Sequence, residues 1–360
     1  IDAIINIKKD LEWRSLPSDR DNGLVPVPES LVNAQPIEPF LQELKERTFA
    51  KYNAFTVGEV FNETDDELHF FIGKDGVFSS IFDFKQTMLG QEGKGWFDHS
   101  LPTADELKES IFQAHERADS IGVLSTIIEN HDEPRGVSHY IAEGPVNDTS
   151  KKALGTIQVL RKGIPFIYQG QEIGMENQVF ESVEDFDDIA TINGYHVAKE
   201  AGLSEEEALA VIANYSRDNA RTPMQWSAEP GLGFSDGTAW LISPKPDYSI
   251  NVEDQEKDPD SILNYYRQLT ALYRHPLYGN TIRFGDMIPA YRDRENIIAF
   301  ERRGDKCLLV ISNFQNRQAS LELPAPIKTV VLNNTAGLFQ EGDQVLELAP
   351  YQTVVLELAE

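Results

Sequence analysis

The sequence has a single cysteine, few basic residues and no long apolar run, and each shortage excludes a class of protein. Cys307 alone cannot form an intrachain disulfide or a metal site with several thiolate ligands. The chain has 32 Lys+Arg residues against 59 Asp+Glu residues, and its net charge of −27 argues against binding to nucleic acid or to anionic membranes. No apolar run approaches the roughly 18 residues of a membrane span. We therefore expect a protein of a reducing compartment, with the cytoplasm as the default location.

The length and the hydrophobic content of the chain are sufficient to form a hydrophobic core. Its 360 residues exceed the size at which one hydrophobic core stops growing, and 41% of them are hydrophobic. The first seven residues, Ile1–Ile7, are mostly apolar, without an initiator methionine or the charged start of a signal peptide. We expect from this that the chain is the C-terminal part of a longer protein.

The pattern of apolar runs predicts two regions. Four short continuous runs, near residues 54–58, 77–84, 124–129 and 164–168, are typical of buried strands, and helical segments lie between them. This alternation predicts β-α units with a parallel sheet over residues 1–280. Residues 281–360 contain short β-rich runs, with a hairpin signal at 303–306, and predict a small antiparallel β domain.

Carboxylates follow several of the predicted strands. Glu59 follows the first run, Asp132 the third and Glu172 the fourth, while Asp2 lies beside the apolar run at the start of the chain. In parallel α/β folds, reactive side chains lie just past the carboxyl ends of the strands. Two positioned carboxylates are what cleavage of a glycosidic bond requires.

Four ordered motifs resemble glycoside hydrolase family 13, and in particular its oligo-1,6-glucosidase and α-glucosidase branch. They are the segments Thr56–Glu59, Glu129–Arg135, Ile167–Met175 and Ser216–Trp226. The resemblance implies a (β/α)8 TIM barrel followed by an antiparallel β-sandwich. It also implies that the chain starts at the catalytic nucleophile, so that it holds the second half of the barrel and its partner is the missing N-terminal half.

The resemblance also implies roles for individual residues. Asp2 matches the nucleophile, Glu59 the general acid and base, and Asp132 the carboxylate that holds the sugar hydroxyls and favours a distorted ring. His131 is similar to the family's hydroxyl-binding histidine, and Arg217 to the arginine that helps to close the pocket. The remaining substrate-binding candidates are Asn130, Arg135, Glu172 and Ala3.

Structural alternatives stay open for several of these residues. Arg217 is either a pocket residue or a salt-bridge partner of Asp218, and a structural ion pair is favoured for Arg221. Arg135 and Glu172 either contact the sugar or anchor a loop. No histidine spacing indicates a metal site, so we expect no cofactor and no catalytic metal; the resemblance allows a structural calcium only in the missing half.

The resulting functional hypothesis is a retaining α-glucosidase that acts on short malto- or isomalto-oligosaccharides. Trehalose-6-phosphate hydrolase and sucrose isomerase are alternatives with the same catalytic groups, and a catalytically silent member or fragment is the alternative from a different class. Ala3, where enzymes specialised for α-1,6 bonds tend to have valine, favours α-1,4 linkages. A half-barrel has two open sheet edges, so we expect this segment alone to aggregate or dimerise.

Overall fold

A computed structural model describes residues 1–12, 14–17, 25, 29, 33–34, 36–61, 63–90, 99–142, 144–337 and 339–359. Contacts divide the chain into two compact units. The first unit is Ile1–Phe84 with Glu116–Ser125, and the second is Lys85–His115 with Thr126–Glu360. None of the helices in the described part of the chain is long and apolar enough to cross a membrane.

The first unit is built on parallel strands. Strand β1 (Val57–Gly58) pairs with β2 (Ser80–Phe82), which pairs with the start of β3 (Leu124–Thr126). The first residue of the chain continues this pattern, because the Ile1 amino group donates to the Val57 carbonyl and the Ile1 carbonyl accepts from the Glu59 N–H. These two bonds flank Gly58, as in a parallel ladder. The three strands confirm the predicted runs, although each is shorter than its run.

The first unit also contains helices, and the one over residues 65–72 packs against β2. Helix α1 (Glu38–Leu44) continues through a π-helical turn (Lys45–Phe49) into a last α-helical turn (Ala50–Tyr52). Helix α2 (Asp65–Ile72) begins with a capping box, in which Thr64 and Glu67 satisfy each other's backbone N–H groups. Helix α3 (Ala104–Ala118) spans the boundary between the units.

The second unit begins with a further β-α segment. Strand β4 (Ile164–Pro165) leads into Phe166, whose N–H donates to the carbonyl of Thr126 at the end of β3. The α-helices that lie within this unit are α4 (Gly136–Tyr140), α5 (Asp148–Leu160), α6 (Ile189–Glu200), α7 (Glu205–Tyr215), α8 (Asp218–Arg221), α9 (Val252–Lys257), α10 (Ile262–Leu272) and α11 (Gly279–Phe284).

The C-terminal region is antiparallel, as the sequence predicts. A five-stranded sheet has the order β5-β6-β7-β11-β9, and β8 pairs with β10 in a second sheet. The strands are β5 (Asp286–Ala290), β6 (Ile297–Arg303), β7 (Cys307–Asn313), β8 (Ala319–Glu322), β9 (Ile327–Asn333), β10 (Val345–Leu348) and β11 (Thr353–Leu358). One core packs between these sheets, and the other face of the larger sheet packs against α5 and α10. Strands β5 and β8 lie outside the β-rich runs that the sequence predicts.

Candidate active site

The first unit brings the Asp2 segment against Glu59. The Ala3 N–H donates to the Glu59 Oε2 at 2.5 Å, and the Ile4 N–H donates to the Glu59 carbonyl at 3.0 Å. Glu59 directly follows β1 and is only 8% exposed, whereas Asp2 is exposed. Asp2 and Glu59, which are 57 positions apart in the chain, are therefore neighbours at the end of β1. The buried Glu59 lies beside the exposed Asp2.

Ala3 has an unusual backbone conformation. Its φ is +46°, in the left-handed region that a β-branched residue strongly disfavours. This conformation aims the Ala3 N–H at the Glu59 carboxylate. The sequence predicts that Ala3 places a small side chain beside the substrate, and its positive φ is a backbone reason for a small residue at this position.

In the second unit, a tight turn after β3 carries the next three candidates. The Asp132 N–H donates to the Asn130 Oδ1 at 2.7 Å, so Asn130 holds the turn. The His131 Nε2 lies 3.5 Å from the Asp132 Oδ2, and the two side chains are 60% and 36% exposed. This edge of the turn presents a carboxylate oxygen and a ring nitrogen to solvent.

Two arginines hold the other oxygen of Asp132. The Asp132 Oδ1 lies 3.3 Å from the Arg217 Nη1 and 2.6 Å from the Arg221 Nη2. Arg221 also donates from Nε to the His131 carbonyl at 2.9 Å. Its ion pair, which the sequence analysis favours, is thus formed with a candidate site residue. Asp218 is not the partner of Arg217: its Oδ2 accepts the N–H groups of Asp187 and Asp188.

Asp188 is a site residue that the sequence analysis misses. Its side chain is 1% exposed and contacts the Arg217 Nη2 through Oδ1 and the Arg217 Nε at 3.1 Å through Oδ2. Burial alone would raise the pKa of Asp188, but hydrogen bonds from Arg217 and Thr191 hold it below its usual value. The available sequence signal is the N-cap pattern of Asp188 and Thr191 at the start of α6.

Arg135 and Glu172 take structural contacts in the second unit. The Arg135 guanidinium is 1% exposed; its Nη1 lies 2.9 Å from the Glu129 Oε1 and donates to the Gln169 carbonyl at 2.8 Å. The Glu172 Oε2 accepts the Gly170 N–H at 2.8 Å and so closes its own loop. This burial favours the loop-anchoring alternative for Arg135, because its guanidinium has almost no exposed surface with which to contact a sugar.

No group of three or more potential ligand side chains is arranged to hold a metal ion within the described ranges. The single thiol, Cys307, is exposed on β7, in the C-terminal region of antiparallel sheets. The described candidate side chains therefore offer carboxylate, imidazole and guanidinium chemistry.

Comparison with known proteins matches nearly the whole chain. Residues 1–277 match the family "Alpha amylase, catalytic domain", and residues 297–355 match "Alpha-amylase SusG C-terminal domain". A probable oligo-1,6-glucosidase 2 of Bacillus subtilis (strain 168) is 36% identical over 298 residues, which cover 81% of this chain and 52% of that protein. The chain spans about half the length of the curated relatives it matches, 52% and 49% for two of them.

Solved structures agree with these sequence matches. Isomaltulose synthase from Klebsiella sp. LX3 superposes with a TM-score of 0.89 at 27% identity, covering 99% of this chain and 64% of that one. Trehalose-6-phosphate hydrolase of Bacillus licheniformis gives a TM-score of 0.83 at 30% identity, covering 95% of this chain and 62% of that one.

Proposed function

The chain belongs to the α-amylase family of glycoside hydrolases, family 13, and on this basis we propose that it is the catalytic part of a retaining α-glucosidase. The membership confirms the family and the fold class predicted from the sequence, an α-amylase catalytic domain of the TIM-barrel type followed by a C-terminal β-sheet domain. The proposed substrates are short oligosaccharides with a terminal α-linked glucose. The observation that carries this proposal is the contact of the Asp2 segment with the Glu59 carboxylate.

In the proposed mechanism, Asp2 and Glu59 divide the chemistry of a double displacement. The Asp2 carboxylate attacks the anomeric carbon while Glu59 gives its proton to the leaving glycosidic oxygen. This step breaks the glycosidic bond and forms a glucosyl ester. Glu59 then takes a proton from water, whose oxygen attacks the anomeric carbon and releases Asp2. The first unit supports these roles, because Asp2 is accessible and Glu59 is buried.

The second unit supplies the proposed sugar-binding groups. Both arginines contact the Asp132 Oδ1, so the Asp132 Oδ2 and His131 are the pair with capacity to bind sugar hydroxyls. Asn130 shapes this turn through its bond to the Asp132 N–H. We propose that Arg217 contributes a guanidinium to the sugar pocket, whereas Arg221 fixes the turn.

The relatives include oligo-1,6-glucosidases, a trehalose-6-phosphate hydrolase and an isomaltulose synthase. We favour a glucosidase over a phosphosugar hydrolase because the chain's net charge of −27 opposes an anionic substrate. The N-terminal half of a barrel is the proposed partner that completes the enzyme. The cytoplasmic location stays a prediction.

The proposal is tested by complementation. The chain is assayed alone and together with the part of the Bacillus subtilis relative that the resemblance places before the nucleophile. We expect the pair to release glucose from maltose or isomaltose, first as the α-anomer, which NMR detects directly. Glu59→Gln and Asp2→Asn should each lower kcat by about 1,000-fold or more, since each removes a reacting group.

The control is Asp66→Asn, which removes an exposed carboxylate on α2 and should leave kcat unchanged. Release of glucose 6-phosphate from trehalose 6-phosphate, or isomerisation of sucrose without hydrolysis, would replace the proposed activity by one of the relatives' activities. A β-anomeric first product, or a Glu59→Gln variant within tenfold of the unchanged protein, would contradict the mechanism. Absence of any turnover would favour the silent alternative.

A further inference from the structure

Asp188 and Asp132 both contact the arginine pair, Arg217 and Arg221. Two contacts join the Asp188 carboxylate to Arg217, one through each carboxylate oxygen, and a third joins its Oδ1 to the Arg221 Nη1 at 3.9 Å. The Asp188 side chain is buried. We propose that Asp188 is a positioning residue that fixes the guanidinium of Arg217, and through it the Asp132 carboxylate, for sugar binding. This inference rests on the proposed function.

The carboxylate of Asp188 is itself held in place by the start of α6. It accepts the Thr191 N–H at 3.2 Å and the Thr191 hydroxyl at 2.8 Å, as an N-cap does. The backbone N–H of Asp188 donates to the Asp218 Oδ2 at 2.9 Å. The Thr191 hydroxyl also contacts the Ser216 hydroxyl at 2.9 Å, next to Arg217 in the chain. These contacts hold the Asp188 side chain at the N-terminus of α6.

The geometry at Arg217 makes its orientation depend on Asp188. The planar guanidinium uses Nε and Nη2 for Asp188, which leaves Nη1 to reach the Asp132 Oδ1 at 3.3 Å. A two-point contact of this kind fixes the plane of the guanidinium as well as its distance. The hydrogen bonds that Arg217 donates to Asp188 also raise the pKa of Arg217.

Charge balance supports the same role. Two guanidinium groups and two carboxylates, those of Asp132 and Asp188, form one connected network in the second unit. Without the buried carboxylate, both arginines would compete for the half-buried Asp132. We expect Asp132 then to lose the orientation that places its Oδ2 beside the His131 Nε2.

The test separates charge from helix capping. Asp188→Asn removes the carboxylate charge but keeps an N-cap of similar quality. We expect the KM for maltose to rise about 10-fold, the effect of losing one hydrogen bond to a charged group, with a smaller change in kcat. Ser204→Ala is the matched control, since it weakens the exposed N-cap of α7 and should lower the melting temperature without changing KM.

Coupling to Arg217 gives the second readout. In an Arg217→Lys background, Asp188→Asn should change KM by less than twofold, because the residue through which it acts is already altered. In an Arg221→Lys background it should keep most of its effect. Independent, multiplicative effects of Asp188→Asn and Arg217→Lys would overturn the proposal, and so would an unchanged KM in Asp188→Asn.

A measurement without substrate distinguishes this inference from the proposed function. With 15N-labelled arginine, the Nε–H signal of Arg217, assigned by its loss in Arg217→Lys, should move to the position of a free arginine in Asp188→Asn. Ser204→Ala should leave the signal unchanged. If the unmodified protein has no glucosidase activity but this signal moves, the proposed function fails while Asp188 still orients Arg217. A signal that stays in place overturns the positioning role.

Discussion

His139 is a buried histidine whose ring nitrogens have no hydrogen-bond partner. It lies in α4, is 7% exposed and packs against the rings of Tyr140, at 4.6 Å, and Tyr215, at 6.0 Å between centroids. Burial lowers the pKa of His139 from its usual 6.5 to about 4, and the nearby His99 adds to the effect. In the folded protein His139 is therefore neutral between about pH 4 and 6.5, where the same residue of the unfolded chain is protonated.

Glu133 has the opposite shift six residues earlier. Burial raises the pKa of Glu133 from its usual 4.5 to about 7, the charge of Asp132 adds to this, and a hydrogen bond from Thr87 opposes it. Glu133 thus holds its proton in the folded protein at pH values where the unfolded chain has lost it.

The two shifts have opposite effects on stability. Between about pH 4 and 6.5 the unfolded chain binds a proton at His139 that the folded protein does not, so this residue makes stability fall as the pH falls. Between about pH 4.5 and 7 the folded protein binds a proton at Glu133 that the unfolded chain does not, so this residue makes stability fall as the pH rises. Each contributes about 1.4 kcal/mol per pH unit in the free energy of unfolding, and in their common range the two cancel.

Single substitutions should separate these contributions. Denaturant unfolding at pH 4.5, 5.5 and 6.5 gives the free energy of unfolding for each variant. Relative to the unchanged protein, the free energy of unfolding of His139→Leu should fall by about 2 kcal/mol between pH 4.5 and 6.5, and that of Glu133→Gln should rise by about the same amount. His196→Gln, which changes an exposed histidine, should give a curve parallel to that of the unchanged protein. Parallel curves for all three variants would refute the reasoning.

Three further predictions concern the fold, the linkage preference and the charge. Arg302→Met should lower the free energy of unfolding by about 3 kcal/mol in a denaturant titration, because the buried guanidinium donates at 2.8 Å to the Leu160 and Gly285 carbonyls at two helix ends. Arg303→Met, which changes the exposed neighbour, should lower the free energy of unfolding by less than about 1 kcal/mol. The unchanged enzyme should prefer maltose to isomaltose, and Ala3→Val should shift the ratio of kcat/KM values toward isomaltose by about 10-fold. The positive φ of Ala3 also strains a valine by about 1–3 kcal/mol, so Ala3→Gly is the control for the effect of backbone conformation. Raising salt from about 0.01 to 0.5 M should raise the melting temperature by screening the net charge of −27, and a flat salt dependence would contradict this.

Local patterns in the sequence were sufficient for much of the architecture. Apolar runs located the four strands of the β-α units. The spacing of Thr103 and Glu106 is that of a capping box and predicts the start of α3, where the two residues exchange hydrogen bonds. The hairpin between β6 and β7 follows from the turn residues at 303–306. These features depend on residues within about four positions of each other, so a short segment of sequence is sufficient to predict each of them.

Strand lengths were less accessible from the sequence. The apolar run 124–129 contains only three strand residues, because β3 ends at Thr126 and the chain then enters the turn that carries Asp132. An apolar residue in a loop that packs into the core gives the same pattern as one in a strand. The ladder partner, which decides between them, lies elsewhere in the chain.

The sequence alone determined the family, the order of the β-α units and the positions of the carboxylates after the strands, because strand ends and motifs are written in consecutive residues. Only the tertiary structure decided the partners of those residues. Arg217 pairs with Asp188 and Asp132, which lie 29 and 85 positions away, rather than with its neighbour Asp218. The physical reason is that an ion pair forms between groups that the fold brings within about 4 Å and shields from water, and separation along the chain carries no information about that distance.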